Sequence, residues 1–162
     1  MNADNETVTS ITNRLKTVPD TAMPLPEAAD VQLLTQIGFL AAGRGDARRA
    51  LRIFEALVLL RPQRAFAYVG LAATLLNAGR AMDAVQRLQT VRLPAGPEAD
   101  MLEAFTGLAL QLAGRSGESA YLLRQVVDRA QQGGASEGAL LAARLRGEDL
   151  DPSPRPEPLA AL

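Results

Sequence analysis

The sequence predicts an all-α protein made of repeated helical hairpins, and two observations support this prediction. A glycine is followed closely by an alanine at a period of 34 residues, strictly in two places and more loosely in a third: Gly45 and Ala50, Gly79 and Ala84, Gly114 and Ala120. A repeat of this length is typical of stacked helix pairs whose inner side chains recur from one pair to the next. The chain is also 48% hydrophobic but only 4% aromatic. Ala and Leu supply much of the apolar content, and both lose little conformational freedom in a helix.

The composition limits the chemistry that the protein can perform. The chain contains no cysteine and no histidine, so it lacks thiolate nucleophiles, imidazole bases and the commonest zinc ligands. The remaining candidates for acid–base chemistry are carboxylates: Glu55, Asp83, Glu98, Asp100, Glu103 and Asp128. No phosphate-binding loop or metal-ligand spacing accompanies them, so solvated helix faces account for them better. We therefore expect no enzyme activity, no catalytic residue, no metal site and no cofactor.

Charge and hydropathy bear on partners and location. The net charge is −1 and the arginines are scattered along the chain, which argues against a nucleic-acid partner. The first 25 residues contain acidic side chains and no apolar run of the kind found in secretion signals, and no later stretch is apolar enough to span a membrane. Because a cysteine-free chain also fits a reducing compartment, we expect a cytoplasmic protein without a membrane span.

Prolines and glycines divide the chain into three parts. We expect an N-terminal extension over 1–29, a repeat domain over 30–148 and a proline-rich, disordered tail over 149–162. Inside the domain, helical hairpins are expected over 31–64, 65–98 and 99–132, followed by a capping helix over 136–147.

The N-terminal extension contains a short amphipathic pattern. Val8, Ile11, Leu15 and Val18 recur at steps of three and four residues and therefore share one face of a predicted helix. The sequence leaves two alternatives for what this apolar face contacts. It packs back on the repeats of its own chain, or it forms a homodimer contact through residues 5–18.

The predicted helix breaks contain residues suited to them. Glycine ends a helix without steric cost, and Asp46 is placed to cap the second helix of the first hairpin by accepting backbone N–H bonds. Asp83 is expected to act in the same way or as a first-turn acid in the second hairpin. The third break has one residue more between its glycine and its alanine, from Gly114 to Ala120.

The hairpins resemble the tetratricopeptide repeat. The first carries the pattern Leu34, Ile37, Gly38, Ala41, Gly45, Ala50, Phe54, Leu57 and Pro62. The second keeps Tyr68, Leu71, Ala72, Leu75, Gly79, Ala84, Leu88 and Val91, and the third keeps Gly107, Leu110, Gly114, Ala120, Leu123 and Val127. In the first hairpin we expect Ile37, Phe54 and Leu57 to fill the space around Gly38, whereas in the third Glu103 and Thr106 stand where apolar residues are expected. The resemblance implies a superhelix of about three repeats with an additional helix at each end.

In this family the first helix of each hairpin lines a concave groove. The resemblance places the following residues there: Gln32, Thr35, Phe39, Ala42, Phe66, Val69, Ala73, Leu76, Asn77, Met101, Ala104, Leu108, Gln111 and Leu112. Most are apolar, which favours a peptide-binding surface because monomers seldom expose large apolar patches without a use. The N-terminal helix, the tail or a second copy of the chain are alternative occupants of this groove.

The resemblance also suggests a partner. Tetratricopeptide domains that bind acidic C-terminal peptides use Lys, Asn and Arg, but the corresponding positions here are Thr35, Phe39, Gly70, Met101 and Phe105. An apolar groove suits a hydrophobic client held as an amphipathic helix or an extended segment. The small, mildly acidic chain with its N-terminal helix is similar to the secretion chaperones of bacterial type III systems, which implies an exported translocator, needle or filament subunit as client. A permanent scaffold or assembly subunit of a protein complex is the alternative.

Overall fold

The computed structural model describes residues 26–150, and this part of the chain is entirely helical, without a strand. The expectation of an all-α fold is therefore confirmed. The predictions for the amphipathic segment, the homodimer contact at 5–18 and the proline-rich tail lie outside the described residues, apart from the tail's first two positions. The helices are α1 (Ala28–Gly43), α2 (Ala47–Leu60), α3 (Ala65–Asn77), α4 (Ala81–Gln89), α5 (Pro97–Leu112), α6 (Ser116–Gly133) and α7 (Glu137–Arg146).

The helices form three stacked hairpins and a final single helix. Each helix packs on the next one along the chain, and the first helices of successive hairpins also pack together, α1 on α3, α3 on α5 and α5 on α7. The backbones of α2 and α4 stay apart, as do those of α4 and α6. Contacts between hairpins therefore always involve the first helix of the later hairpin, and never two second helices.

The three hairpin turns have the same backbone geometry. Gly45, Gly79 and Gly114 adopt φ angles of +79°, +72° and +77°, a left-handed conformation that glycine adopts without steric cost. The residue after each glycine donates its backbone N–H to a carbonyl near the end of the preceding helix, at 2.9 Å for Asp46 to Ala41. The side chain of Asp46 then accepts from the N–H of Arg49 at 3.1 Å and caps α2, as predicted.

The core explains why small residues recur. The ring of Phe54 lies against Gly38 and Gly70 at the contact of α2 with α1 and α3. Leu123 lies in the same way against Gly107. A glycine or alanine of the first helix thus precedes the large residue of the second helix by a constant interval: Gly38 and Phe54, Ala72 and Leu88, Gly107 and Leu123. Close approach of the two helices requires the small residue, and the large residue fills the space that remains.

The third hairpin corrects one assignment from the sequence. Ser119, not Ala120, occupies the small buried position of α6, because Ser119 is fully buried and Ala120 is exposed. Ser119 follows Gly114 by the same five residues that separate Gly45 from Ala50, so the turn contains no additional residue. The additional residue lies earlier, in the connection 90–96 between α4 and α5. The Ser119 hydroxyl donates to the Gly107 carbonyl at 2.8 Å, which satisfies this buried polar group.

A polar cluster attaches α7 to the third hairpin. Ser136 caps α7 by accepting from the N–H of Ala139 at 3.1 Å, and its hydroxyl donates to Asp100 at 2.7 Å. The other oxygen of the buried Asp100 carboxylate accepts from Arg129 at 3.1 Å, and Arg129 also pairs with Glu103. Partial burial lowers the pKa of Arg129, but the hydrogen bonds to Glu103 and Asp100 outweigh this effect and raise it above its ordinary value.

Candidate functional site

The predicted groove residues fall on the surface formed by α1, α3 and α5, which we call the first-helix face. Their spacing repeats from hairpin to hairpin, so each belongs to one of five recurring positions. The five sets are Gln32, Phe66 and Met101; Thr35, Val69 and Ala104; Phe39, Ala73 and Leu108; Ala42, Leu76 and Gln111; Asn77 and Leu112. Equivalent positions therefore recur on the three first helices, although the accessibility of their side chains differs.

Three of the predicted lining residues are buried and cannot contact a ligand through their side chains. Ala104 is 0% exposed and belongs to a cluster formed with α6 and α7, whereas Ala42 packs with neighbouring alanines of α1 and α2. Val69 is also buried. Side chains at these positions lie between closely packed helices, so the prediction of Ala42, Val69 and Ala104 as groove lining is wrong.

The accessible part of the first-helix face is apolar. Phe39 is 40% and Leu112 is 60% exposed. The half-buried apolar residues are Phe66, Ala73, Leu76, Met101 and Leu108. Phe39 is fixed by an edge-on contact with Phe54, with ring centroids 4.9 Å apart. This surface thus combines an ordered aromatic side chain with several aliphatic ones.

The polar residues of the predicted set are partly engaged within the chain. The hydroxyl of the half-buried Thr35 donates to the Val31 carbonyl at 2.7 Å, one turn earlier in α1. The amide of Gln111 donates to the Leu145 carbonyl at 3.2 Å and so links the face to α7. Asn77 is exposed.

A cavity of about 350 Å³ lies at the N-terminal ends of α1 and α3. Its lining consists of Ala28, Val31, Gln32, Thr35, Gln36, Arg61, Arg64 and Phe66. Val31 and Phe66 supply apolar surface, and the two arginines are the only charged side chains that residues 26–150 contribute to the lining. Arg64 is paired with Glu98 at 2.8 Å, whereas Arg61 forms no ion pair with any described residue and donates to the Leu60 carbonyl at 3.1 Å.

Sequence reasoning did not identify these two arginines. They lie in the connection 61–64 between α2 and α3, where the helical periodicity that located the other lining residues does not apply. Their position shortly before Phe66 in the sequence is the one signal that places them near the first-helix face.

Most of the carboxylates considered for acid–base chemistry are paired with arginines. Glu55 contacts Arg87 at 3.5 Å, and Asp83 contacts Arg80 at 2.6 Å at the start of α4. Glu98 binds Arg64 and also accepts from the N–H of Ala65, so it caps α3 from the next hairpin. Between residues 26 and 150 we find no cluster of three or more potential metal ligands.

None of the helices within residues 26–150 has the length and apolar character that a membrane crossing requires.

Comparison with known proteins adds no family assignment. No protein-family model, no curated protein and no solved structure matches the chain.

Proposed function

We propose that this protein is a non-enzymatic binding protein of the tetratricopeptide type that holds an apolar segment of an exported client on its first-helix face. The observation that carries the proposal is the accessible apolar surface around Phe39, Leu76, Leu108 and Leu112. These side chains are not sealed against one another inside the described part of the chain. Burying them against a client would remove apolar area from water, which is the main favourable contribution to such an association.

The repeat geometry supports the tetratricopeptide assignment. Three successive hairpins share the same turn conformation, and a glycine or alanine stands opposite the large core residue of each second helix. The first helices of successive hairpins pack together and the second helices do not, which favours a superhelix with the first-helix face on its inner side. These are the features that the family resemblance implies.

The side chains of the first-helix face indicate what kind of client segment would bind. Its aliphatic and aromatic side chains suit an amphipathic helix or an extended segment with aliphatic anchors. At one end the 350 Å³ cavity is lined by Arg61 and Arg64. Glu98 already pairs with Arg64, whereas Arg61 has no ion pair with any described residue, so we expect an acidic residue of the client beside Arg61, next to an apolar anchor. Binding shields the client by mass action, and no covalent bond is formed or broken.

In cells, a protein that binds a client in this way would act as a chaperone similar to those of type III secretion systems. The client would be a translocator, needle or filament subunit that stays unassembled until export. A permanent scaffold would use the same face for a partner that it never releases.

Affinity purification from the native cell, followed by mass spectrometry and a secretion assay, tests the proposal. We expect one small protein with an apolar helical segment to co-purify, to leave the cell on secretion and to leave this chain behind in the soluble fraction. Stable incorporation of the chain into a membrane-bound complex would instead identify a scaffold. Absence of any apolar partner would contradict both functions.

A further inference from the structure

Helix α1 carries an apolar stripe formed by Leu33, Ile37 and Leu40, on a side that no described helix covers. These side chains are 55%, 41% and 54% exposed, and their spacing places them on one side of the helix. The residues of α1 that are buried, such as Val31 and Gly38, lie on another side. The sequence pattern predicted Ile37 as a core residue, and its exposure shows that no described helix completes the core at this end.

The same positions are buried in the other two hairpins. They are occupied in α3 by Ala67, Leu71 and Thr74, and in α5 by Leu102, Thr106 and Ala109, all of which are buried. Ala67 and Leu71 share a core cluster with Phe54 and Leu57 of α2. Leu102 and Ala109 share another with residues of α4. In each case the second helix of the preceding hairpin covers these positions.

Only α1 lacks such a preceding helix among the described residues, yet it keeps large apolar side chains where one would pack. Three leucine or isoleucine side chains left in water would cost solubility, and the matching leucines of α3 and α5, Leu71 and Leu102, are buried under a covering helix. The stripe is therefore adapted to burial by a helix of the same type as α2 and α4.

We propose that residues 8–18 of the same chain form that helix and cover the stripe. Their apolar side chains, Val8, Ile11, Leu15 and Val18, recur at steps of three and four residues, like the buried Ala50, Phe54 and Leu57 of α2. An antiparallel arrangement like that of α2 and α3 places Val18 near Leu33 and the earlier residues toward Leu40. The array would then begin with a single helix before the first hairpin and end with a single helix, α7, after the third.

The chain between the two elements is long enough for this arrangement. Residues 19–27 would connect the covering helix to α1, compared with residues 61–64 before α3 and 90–96 before α5. An extended chain spans about 3.3–3.6 Å per residue, so this connection allows the reversal of direction with slack. A short tether also gives the segment an effective concentration in the millimolar range, which favours it over a second copy of the chain at ordinary protein concentrations.

Cysteine pairs test the proposal in the full-length protein, because the natural chain contains no cysteine. Leu15→Cys is combined in turn with Leu33→Cys, Ile37→Cys and Leu40→Cys, and each variant is oxidised under mild conditions. We expect a disulfide within one chain for at least one pair, since a disulfide requires Cα atoms within about 7 Å. Leu15→Cys with Leu59→Cys is the matched control, because Leu59 is exposed on α2, and it should remain reduced.

Two outcomes would overturn the proposal. Disulfides that form only between chains would assign the stripe to a second copy, and failure of all three pairs would leave residues 8–18 elsewhere. Thermal unfolding adds an independent measurement. Ile11→Asp should lower the melting temperature, whereas Asn13→Asp, on the opposite side of the predicted helix, should not. Equal melting temperatures for these two variants would contradict the covering role.

Discussion

The ring of Phe54 in α2 occupies the space into which a side chain at Gly70 of α3 would project. The same ring lies beside Gly38 of α1, where an added Cβ would be 2.8 Å from the nearest ring carbon. Phe54 itself is 0% exposed. One aromatic ring thus sets how closely three helices pack. Glycine is required at positions 38 and 70 because the ring occupies the space that a side chain would need.

Gly70→Ala is expected to destabilise the protein through this contact. The added methyl group overlaps the Phe54 ring, and overpacking of this kind costs about 1–3 kcal/mol of unfolding free energy. Denaturant unfolding followed by circular dichroism measures the change. Gly117→Ala is the control, because a Cβ there meets no atom within 4 Å in α6, and it should leave stability unchanged or raise it by up to about 1 kcal/mol. Equal effects of both substitutions would show that Phe54 does not restrict Gly70.

Position 119 tests the register of the third hairpin. Ser119→Leu places a large side chain at the buried contact with α5 and should destabilise by about 1–3 kcal/mol, whereas Ala120→Leu should be tolerated because Ala120 is exposed. Ser119→Ala should cost no more than about 1.5 kcal/mol, the value of one hydrogen bond. The melting temperatures of the three variants show which residue is buried. A larger decrease in melting temperature for Ala120→Leu than for Ser119→Leu would mean that Ala120, not Ser119, occupies the buried position.

Asp100→Ala is expected to loosen α7. The substitution removes the acceptor for both Ser136 and Arg129, and loss of buried hydrogen bonds costs about 1–3 kcal/mol. Hydrogen exchange should show the largest loss of protection in α7. Glu103→Ala is the matched control, because Arg129 then keeps its bond to Asp100 and the more exposed Glu103 contributes less. Unchanged exchange in α7 after Asp100→Ala would show that apolar packing alone holds this helix.

Phe39→Gln combined with Leu112→Gln should weaken client binding without unfolding the protein. Both side chains are accessible, and each lost apolar anchor is worth about 1.5–3 kcal/mol, or roughly ten- to a hundredfold in affinity. Phe66 and Leu76 are less suitable, because they also pack against the core. Leu59→Gln with Met82→Gln removes two exposed apolar side chains of α2 and α4 and should leave binding intact. Quantitative capture of the co-purified partner compares the two double variants, and an equal loss in both would contradict the site.

The fold was predictable because its local signals agree. The turn glycines, the cap at Asp46 and the pairing of Gly38 with Phe54 each follow from backbone geometry or close packing, and the turn glycines and the pairing of a small with a large residue repeat along the chain. The misassignment of Ala120 arose from residue type: a buried alanine was expected, whereas the structure uses a serine whose hydroxyl bonds to Gly107. Counting five residues from Gly114, as from Gly45 to Ala50, identifies Ser119 as the buried position.

The accessible site was less predictable than the fold. Helical spacing placed the candidate residues on α1, α3 and α5, but it could not separate Phe39, which is exposed, from Ala104, which α6 and α7 cover. Burial of this kind depends on which elements pack over a helix, and that is a tertiary property. The same holds for Arg61 and Arg64, which reach the cavity from an irregular connection.

The separation of α2 from α4, and of α4 from α6, has a mechanical consequence. The first helix of each later hairpin contacts both helices of the hairpin before it, whereas the second helices do not contact one another, so small changes in the angle between hairpins need not disrupt an interface between second helices. Under the proposed function, this freedom would let the first-helix face fit clients of different thickness while every helix keeps its own backbone hydrogen bonds.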